Sequence, residues 1–336
     1  MMHVVQRDTE ADEAIKLIAP KGYPAERHKV LTRDGFVLTN FRIPHGRSGP
    51  GGKAMPGSGA DRQPVLLIHG ISLSSTCWVI NDIDESLAFI LADEGYDVWM
   101  MNTRGNTFSR EHAEYEDNNP RFWQFSWDDF AHGDLPATIA YIKSTTNAKK
   151  VHVLGHSQGG TAGLAYLSRK PEAAKDIGVL LAVAPVVYAK YLESPTLVAF
   201  SYQANEYLFV SGPMQAVFLG GLCQVPSLIP VCTASTESMF GGSLKYWKVW
   251  PSPTSYYNAL HWGQIFNEPE PKFMAFNYGP EYDLTKIKAP VVLFTAGRDV
   301  LAAPKDMSLV RERLASGGSL AGVHETESFG HMDYIW

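Results

Sequence analysis

The chain has 336 residues, 45% of them hydrophobic, enough for one large domain or two of ordinary size. Its 29 basic and 35 acidic side chains leave a formal charge of −6, with none of the basic excess that nucleic acid binding calls for. The longest apolar run, Val179–Val187, is too short to span a bilayer and contains Pro185, and the acidic N-terminal stretch lacks the basic-then-apolar order of a secretion signal.

The first predicted elements are two strands in "ERHKVLTRDGFVLTNFRIP", turning at Asp34-Gly35, a strong hairpin signal. A Gly- and Pro-rich stretch follows from Gly46 to Gln63 and reads as a flexible surface loop. Short apolar runs then alternate with helical patterns. "PVLLIHG" is a buried strand, "DIDESLAFILADEG" a helix closed by Gly95, and "YDVWMMNTRGN" the next strand. "DLPATIAYIKSTTN" is a helix, "KVHVLGHS" a strand, "GGTAGLAYLSRKPEAAKD" a helix rich in small residues, and "IGVLLAVAPVV" a strand. This alternation predicts an α/β fold, a mostly parallel sheet flanked by helices.

From Val187 to Lys286 the rhythm stops. That stretch holds Phe209, Met214, Phe218, Met239, Phe240, Trp247, Trp250 and Trp262 among many prolines, and reads as a mainly helical insertion. Most of these side chains fit an ordinary core, but an insertion here hangs over the strand ends. The strand rhythm resumes at "KAPVVLFTAGRD". The expected organisation is an N-terminal extension (1–21), a core in two parts (22–186 and 287–336), and a cap between them (187–286).

Gly155-His156-Ser157-Gln158-Gly159 matches G-x-S-x-G, in which a serine occupies a strained strand-to-helix turn. Alone the pattern is weak; at the carboxyl end of a central strand of such a sheet, where ligands bind, it gains meaning. A serine hydroxyl needs a base to take its proton and an acid to orient that base, in the chain order Ser, Asp or Glu, His. Asp299 follows a predicted strand, and His331 lies in a Gly-containing loop near the end of the chain. Among rival histidines, His156 adjoins the serine and points away, His261 lies in the insertion, and His324 precedes a strand. His69 suits a loop anchor. Asp306 reads as helical, and Asp283 falls in the insertion. The two N–H donors that an oxyanion needs are expected from Gln158, after the serine, and from Ile71, in the loop opened by Gly70.

The phrases "LLIHGISLSSTCW", "WMMNTRGNTFSR", "FWQFSWDDFAHGDLPATIAYI", "VHVLGHSQGGT", "LHWGQ", "VVLFTAGRDVLAAPKD" and "FGHMDYIW" resemble, in order, the blocks of the acid lipases. These are the gastric and lysosomal acid lipase-like α/β-hydrolases. The resemblance implies the α/β-hydrolase fold and hydrolysis of fatty-acid esters of glycerol or sterols under a helical cap, with no metal or organic cofactor. Its nucleophile, acid and base fall on Ser157, Asp299 and His331, and its oxyanion donors on Ile71 and Gln158. The implied partner is a lipid ester at an oil–water or membrane interface, with no nucleic acid and no transmembrane segment. The family is lysosomal, vacuolar or secreted.

Three departures are visible. No secretion signal is recognised, the cap reads as somewhat shorter than in the animal enzymes, and "MDYIW" reads as the first turn of a helix that continues in family members. Cys77, Cys223 and Cys232 form neither a disulfide scaffold nor a metal site by spacing. The resemblance implies a cap disulfide between Cys223 and Cys232; two buried thiols are the reading for a reducing compartment. Two other functions fit the residues: a carboxylesterase for short soluble esters with the same triad, and a non-catalytic lipid-binding protein on this fold.

Overall fold

The computed structural model describes residues 13–57, 59–192, 246 and 249–336. Nine strands form one sheet in the order β1-β2-β4-β3-β6-β7-β8-β9, with the short β5 paired to β2. The strands are β1 (Glu26–Leu31), β2 (Phe36–Ile43), β3 (Pro64–Ile68), β4 (Asp97–Met101), β5 (Glu111–His112), β6 (Val151–His156), β7 (Ile177–Val183), β8 (Val291–Ala296) and β9 (Leu320–Thr326). β1, β2 and β5 pair antiparallel, including β2 with β4; every pairing from β4 through β9 is parallel. The expected hairpin at Asp34-Gly35 is the β1–β2 turn, where Gly35 has a φ of 96°.

Every side chain of β3 and β4 is buried, as the interior strands of a sheet covered on both faces require. The period of two divides them between two cores. Leu66 and Ile68 join one apolar cluster with Val153, Leu164 and Leu180, while Val65 and Leu67 join the other with Phe89, Leu154 and Val183.

The helices used below are α1 (Leu87–Asp93), α2 (Leu135–Thr146), α3 (Gln158–Arg169), α4 (Tyr256–Asn267) and α5 (Pro304–Gly317). α1 is shorter than "DIDESLAFILADEG" suggested, because residues 82–86 form a turn closed by Ser86 N–H on the Asp82 carbonyl. Gly95 does end it, in the left-handed region at φ 93°. α3 also stops short of its sequence pattern: Pro171 cannot continue the helix, and residues Pro171–Lys175 form a separate 3-10 turn. His324 lies within β9 rather than before a strand, and its ring stacks on Phe294.

The Gly46–Gln63 segment is tied to the core at several points, among them Arg47 on Asp93 and the Gln63 amide on the Lys150 carbonyl. Met55 N–H donates to the Gly95 carbonyl, and Gln63 N–H to the Met55 carbonyl. Residues 13–18 are helical and bury Ala14 and Ile18 against the second core. Near the end of the chain, Ile335 and Met332 are buried, and the Tyr334 hydroxyl donates to the Thr295 carbonyl. Of the cysteines, Cys77 is a buried free thiol; Cys223 and Cys232 lie outside the described residues.

Candidate active site

β6 ends at His156 and α3 begins at Gln158, so Ser157 alone must turn the chain from strand to helix. It does so at φ 53° and ψ −123°, a conformation that costs a non-glycine residue about 1–3 kcal/mol. The flanking glycines follow from crowding at this turn. A Cβ on Gly155 would lie 2.4 Å from the Gly159 carbonyl carbon, and one on Gly159 only 2.4 Å from the Ile68 carbonyl oxygen. On Gly160 it would meet the Gly155 oxygen at 2.9 Å. The turn, the helix start and the neighbouring strand β3 pack too closely for a side chain at positions 155, 159 and 160.

Ser157 Oγ lies 2.9 Å from His331 Nε2, and His331 Nδ1 lies 2.8 Å from Asp299 Oδ2. Three loops, after β6, β8 and β9, thus bring together residues the sequence held far apart. Only 4%, 2% and 4% of Ser157, Asp299 and His331 is exposed. The other carboxylate oxygen of Asp299 accepts N–H bonds from Leu301 and Ala302, both at 2.8 Å. Burial pushes the Asp299 pKa up, but the charge and hydrogen bond of His331 and those two N–H donors outweigh it. The carboxyl is held below its ordinary value.

Gly70 packs against the serine. A Cβ there would meet Ser157 Cβ at 3.0 Å and His156 Nδ1 at 3.2 Å, so the backbone leading to Ile71 runs directly past Ser157. His69 anchors this loop. Its Nε2 accepts from Thr103 N–H at 3.3 Å, which leaves Nδ1 to donate to the Gly70 carbonyl at 2.8 Å. Burial lowers the His69 pKa to about 4, keeping the ring neutral and this tautomer fixed. Asn106 of "RGNT" contacts the same Nε2 at 3.2 Å and donates to Asn102 Oδ1 at 2.9 Å. In the same motif Arg104 is buried in a fork between Asp134 and Asp34, joining the α2 start to the hairpin turn.

The remaining histidines and acids stand elsewhere. His156 bonds the His331 carbonyl through Nε2 at 2.9 Å. His261 stacks on Trp127 at 4.0 Å and bonds the Met274 carbonyl. Asp306 is in α5 and receives the N–H groups of Lys190 and Tyr191; Asp283 caps the turn at Leu284–Lys286.

Sequence reasoning gave no role to Asn258 and read Trp262 only as one of the aromatics of the cap. They sit one helical turn apart on α4, and both donate to the side-chain oxygen of Gln158, at 3.0 and 2.7 Å. Their spacing in "NALHW", four residues apart, was the available signal, since such a pair shares one helix face. Just before α4, Ser252 accepts from Thr107 N–H, and its own N–H donates to the Ser72 carbonyl at 2.7 Å. Among the described residues, no cluster of His, Cys, Asp or Glu is arranged to hold a metal ion, and no helix is long and apolar enough to cross a membrane.

A mostly parallel sheet in this strand order, with a serine on the turn after a central strand and acid and histidine on later strand-end loops, defines an α/β-hydrolase. The family model described as "alpha/beta hydrolase fold" matches residues 63–207, and "Partial alpha/beta-hydrolase lipase region" matches residues 14–82. The esterase of Pyrococcus furiosus superposes with a TM-score of 0.54 over 94% of this chain and 87% of that one, at 15% identity. An esterase from Exiguobacterium antarcticum gives 0.53 over 91% and 92%, also at 15% identity. At that identity the likeness is one of fold.

Sequence relatives are nearer. Gastric triacylglycerol lipase of Rattus norvegicus is 34% identical over 353 residues, covering 96% of this chain and 86% of the relative. The Bos taurus protein of that name is 35% identical with the same coverage, and lipase member K of Homo sapiens is 35% identical over 90% of this chain and 81% of the relative. The chain belongs to the acid lipase family.

Proposed function

We propose that this chain is a serine lipase that hydrolyses fatty-acid esters of neutral lipids through an acyl-enzyme on Ser157. The observation that carries the mechanism is His331 standing between Ser157 and Asp299, at 2.9 and 2.8 Å, with all three side chains buried. The substrate class follows from membership of a family whose relatives bear the name gastric triacylglycerol lipase.

In this reading Ser157 Oγ attacks the ester carbonyl carbon while His331 Nε2 takes the hydroxyl proton. Asp299, itself held by Leu301 and Ala302, keeps Nδ1 protonated and stabilises the imidazolium without accepting the proton. The carbonyl oxygen becomes an oxyanion that receives the Gln158 and Ile71 N–H groups. The first of these opens α3, whose dipole adds to the stabilisation. His331 then gives its proton to the departing alkoxide, the C–O bond breaks, and the glycerol or sterol alcohol leaves. A water, deprotonated by His331, attacks the acyl-serine carbonyl and releases the fatty acid with Ser157 restored.

The core is assigned to 22–186 and 287–336 and the cap to 187–286. The bonds from Ser252, Asn258 and Trp262 to the loops around Ser157 support a cap seated over the strand ends. Its work is at an oil–water interface.

The test is a panel of glycerol and sterol esters with acyl chains from acetate to oleate, as solutions and as emulsions. Retained or rising turnover on long-chain emulsions is expected. Activity confined to short soluble esters makes the chain a carboxylesterase with the same triad, and no turnover on any ester makes it a binding protein.

A further inference from the structure

The side chain of Gln158 does not face solvent or the base. Its Oε1 is the shared acceptor of two buried donors from α4, Asn258 Nδ2 at 3.0 Å and Trp262 Nε1 at 2.7 Å. An indole nitrogen only donates, so the atom it meets must be the carbonyl oxygen, and the orientation of the Gln158 amide is fixed. Asn258 is held in turn. Its Nδ2 also donates to Thr254 Oγ1, and its backbone N–H donates to Ser255 Oγ, which caps α4 and is bonded to the Phe125 carbonyl. Trp262 lies in the layer of rings formed by Trp127 and Phe266. Both donors therefore come from rigid positions, a hundred residues away in sequence from the side chain they grip.

Gln158 is the first residue of α3, and its peptide is held at the other end, where the Ser157 carbonyl accepts from Thr161 N–H at 3.0 Å and Thr161 Oγ1 at 3.2 Å; the grip on Oε1 fixes the Gln158 side of the same peptide. We infer that Asn258 and Trp262 are positioning residues: by gripping Gln158 Oε1 they set the direction of the Gln158 N–H toward the oxyanion. This rests on the reading above, in which that N–H is an oxyanion donor. It also gives α4 a task in the chemical step, so that the segment closing over the site and the completed oxyanion hole are one structure.

A donor swung off its direction in a dry site gives up transition-state stabilisation while leaving the neutral ester's binding nearly intact. Trp262→Phe keeps an aromatic ring but removes the N–H together with part of the indole, and Gln158→Met keeps the length and removes the acceptor. On a soluble p-nitrophenyl butyrate assay, each is expected to lower kcat roughly tenfold, below the about hundredfold to thousandfold of deleting a donor outright, with KM within about twofold. Affinity for an alkylboronic acid, which forms a tetrahedral anion on the serine, is expected to fall by the same factor. The double variant is expected to be no worse than Gln158→Met, because that change already removes the bond that Trp262→Phe breaks.

Wild-type kcat in a folded Trp262→Phe, a loss confined to KM, or full additivity in the double variant overturns the inference. If Trp262→Phe does not fold, Gln158→Met decides, and unchanged kcat there is equally contrary. Fluorophosphonate labelling of wild-type Ser157 is run alongside. Its absence overturns the underlying reading, whereas labelling with unaffected variants overturns only the role of α4.

Discussion

His156 and His331 are joined through one backbone bond: the Nε2–H of the residue before Ser157 donates to the main-chain carbonyl of His331, at 2.9 Å. Both rings are buried, with centroids 5.0 Å apart, so the strand-to-helix turn itself holds the loop that carries His331, the proposed base. His156→Leu removes this tie. Since a 1 Å misplacement can cost about a hundredfold, kcat on a soluble ester is expected to fall by roughly ten- to hundredfold, and His156→Gln, which can still donate, to recover most of it. Equal activity in the Leu variant and wild type contradicts this.

The same residue gives a pH signature in stability. Burial and the charge of His331 lower the His156 pKa to about 3, and burial lowers that of His69 to about 4, against about 6.5 in the unfolded chain. Both folded values are depressed, so the stability these rings contribute is complete above about pH 6.5 and is lost as pH falls toward the folded values. In that window each costs about 1.4 kcal/mol per pH unit, because the unfolded chain takes up a proton that the fold refuses. Urea unfolding of wild type and His156→Gln at a series of pH values isolates one of them. The wild type's advantage is expected to shrink as pH falls from 7 to 4.5; a constant or growing gap runs against it.

Arg104 supplies a third expectation. It is buried with Asp134, which meets its side chain at 2.7 Å and its backbone N–H at 2.9 Å, whereas Asp34 is half-exposed. Removing one partner of a buried pair strands a charge, so Asp134→Asn is expected to destabilise by about 3–5 kcal/mol and Asp34→Asn by about 1 kcal/mol or less. Chemical unfolding of both variants measures the difference; equal losses contradict the assignment of Asp134 as the main partner.

The elbow glycines can be separated from ordinary ones. Gly159→Ala drives a methyl to 2.4 Å from the Ile68 carbonyl oxygen, a backbone atom that cannot step aside. The expected outcome is loss of folding, or a folded enzyme slowed by about a hundredfold or more. Gly322→Ala in β9 meets nothing nearer than 3.7 Å and is expected to keep full activity and at least wild-type stability. Thermal melts and ester turnover of the pair decide it.

How far the sequence reaches is clear from these residues. The strands of the central sheet were legible because each is a short apolar run between turn signals, and Ser157, Asp299 and His331 because strand-end placement and chain order narrow the choice. His324 was misplaced because β9 is an edge strand with half-exposed side chains, which leaves no apolar run to read. α3 was drawn too long because its small-residue pattern runs on past Pro171, where the backbone donor is missing. The ties from His156 to the base and from α4 to Gln158 were not legible. They join side chains to atoms a hundred or more residues distant, and a single sequence carries no sign of which distant amide a buried Trp or Asn will find.

The most direct measurement of the central claim is to react the protein with an alkyl fluorophosphonate, locate the adduct by mass spectrometry, and measure long-chain triacylglycerol hydrolysis before and after. A single adduct on Ser157, with turnover lost in proportion to labelling and both absent in Ser157→Ala, is the predicted result. Substantial lipid hydrolysis by Ser157→Ala, or an adduct on another residue that accounts for the lost turnover, contradicts it.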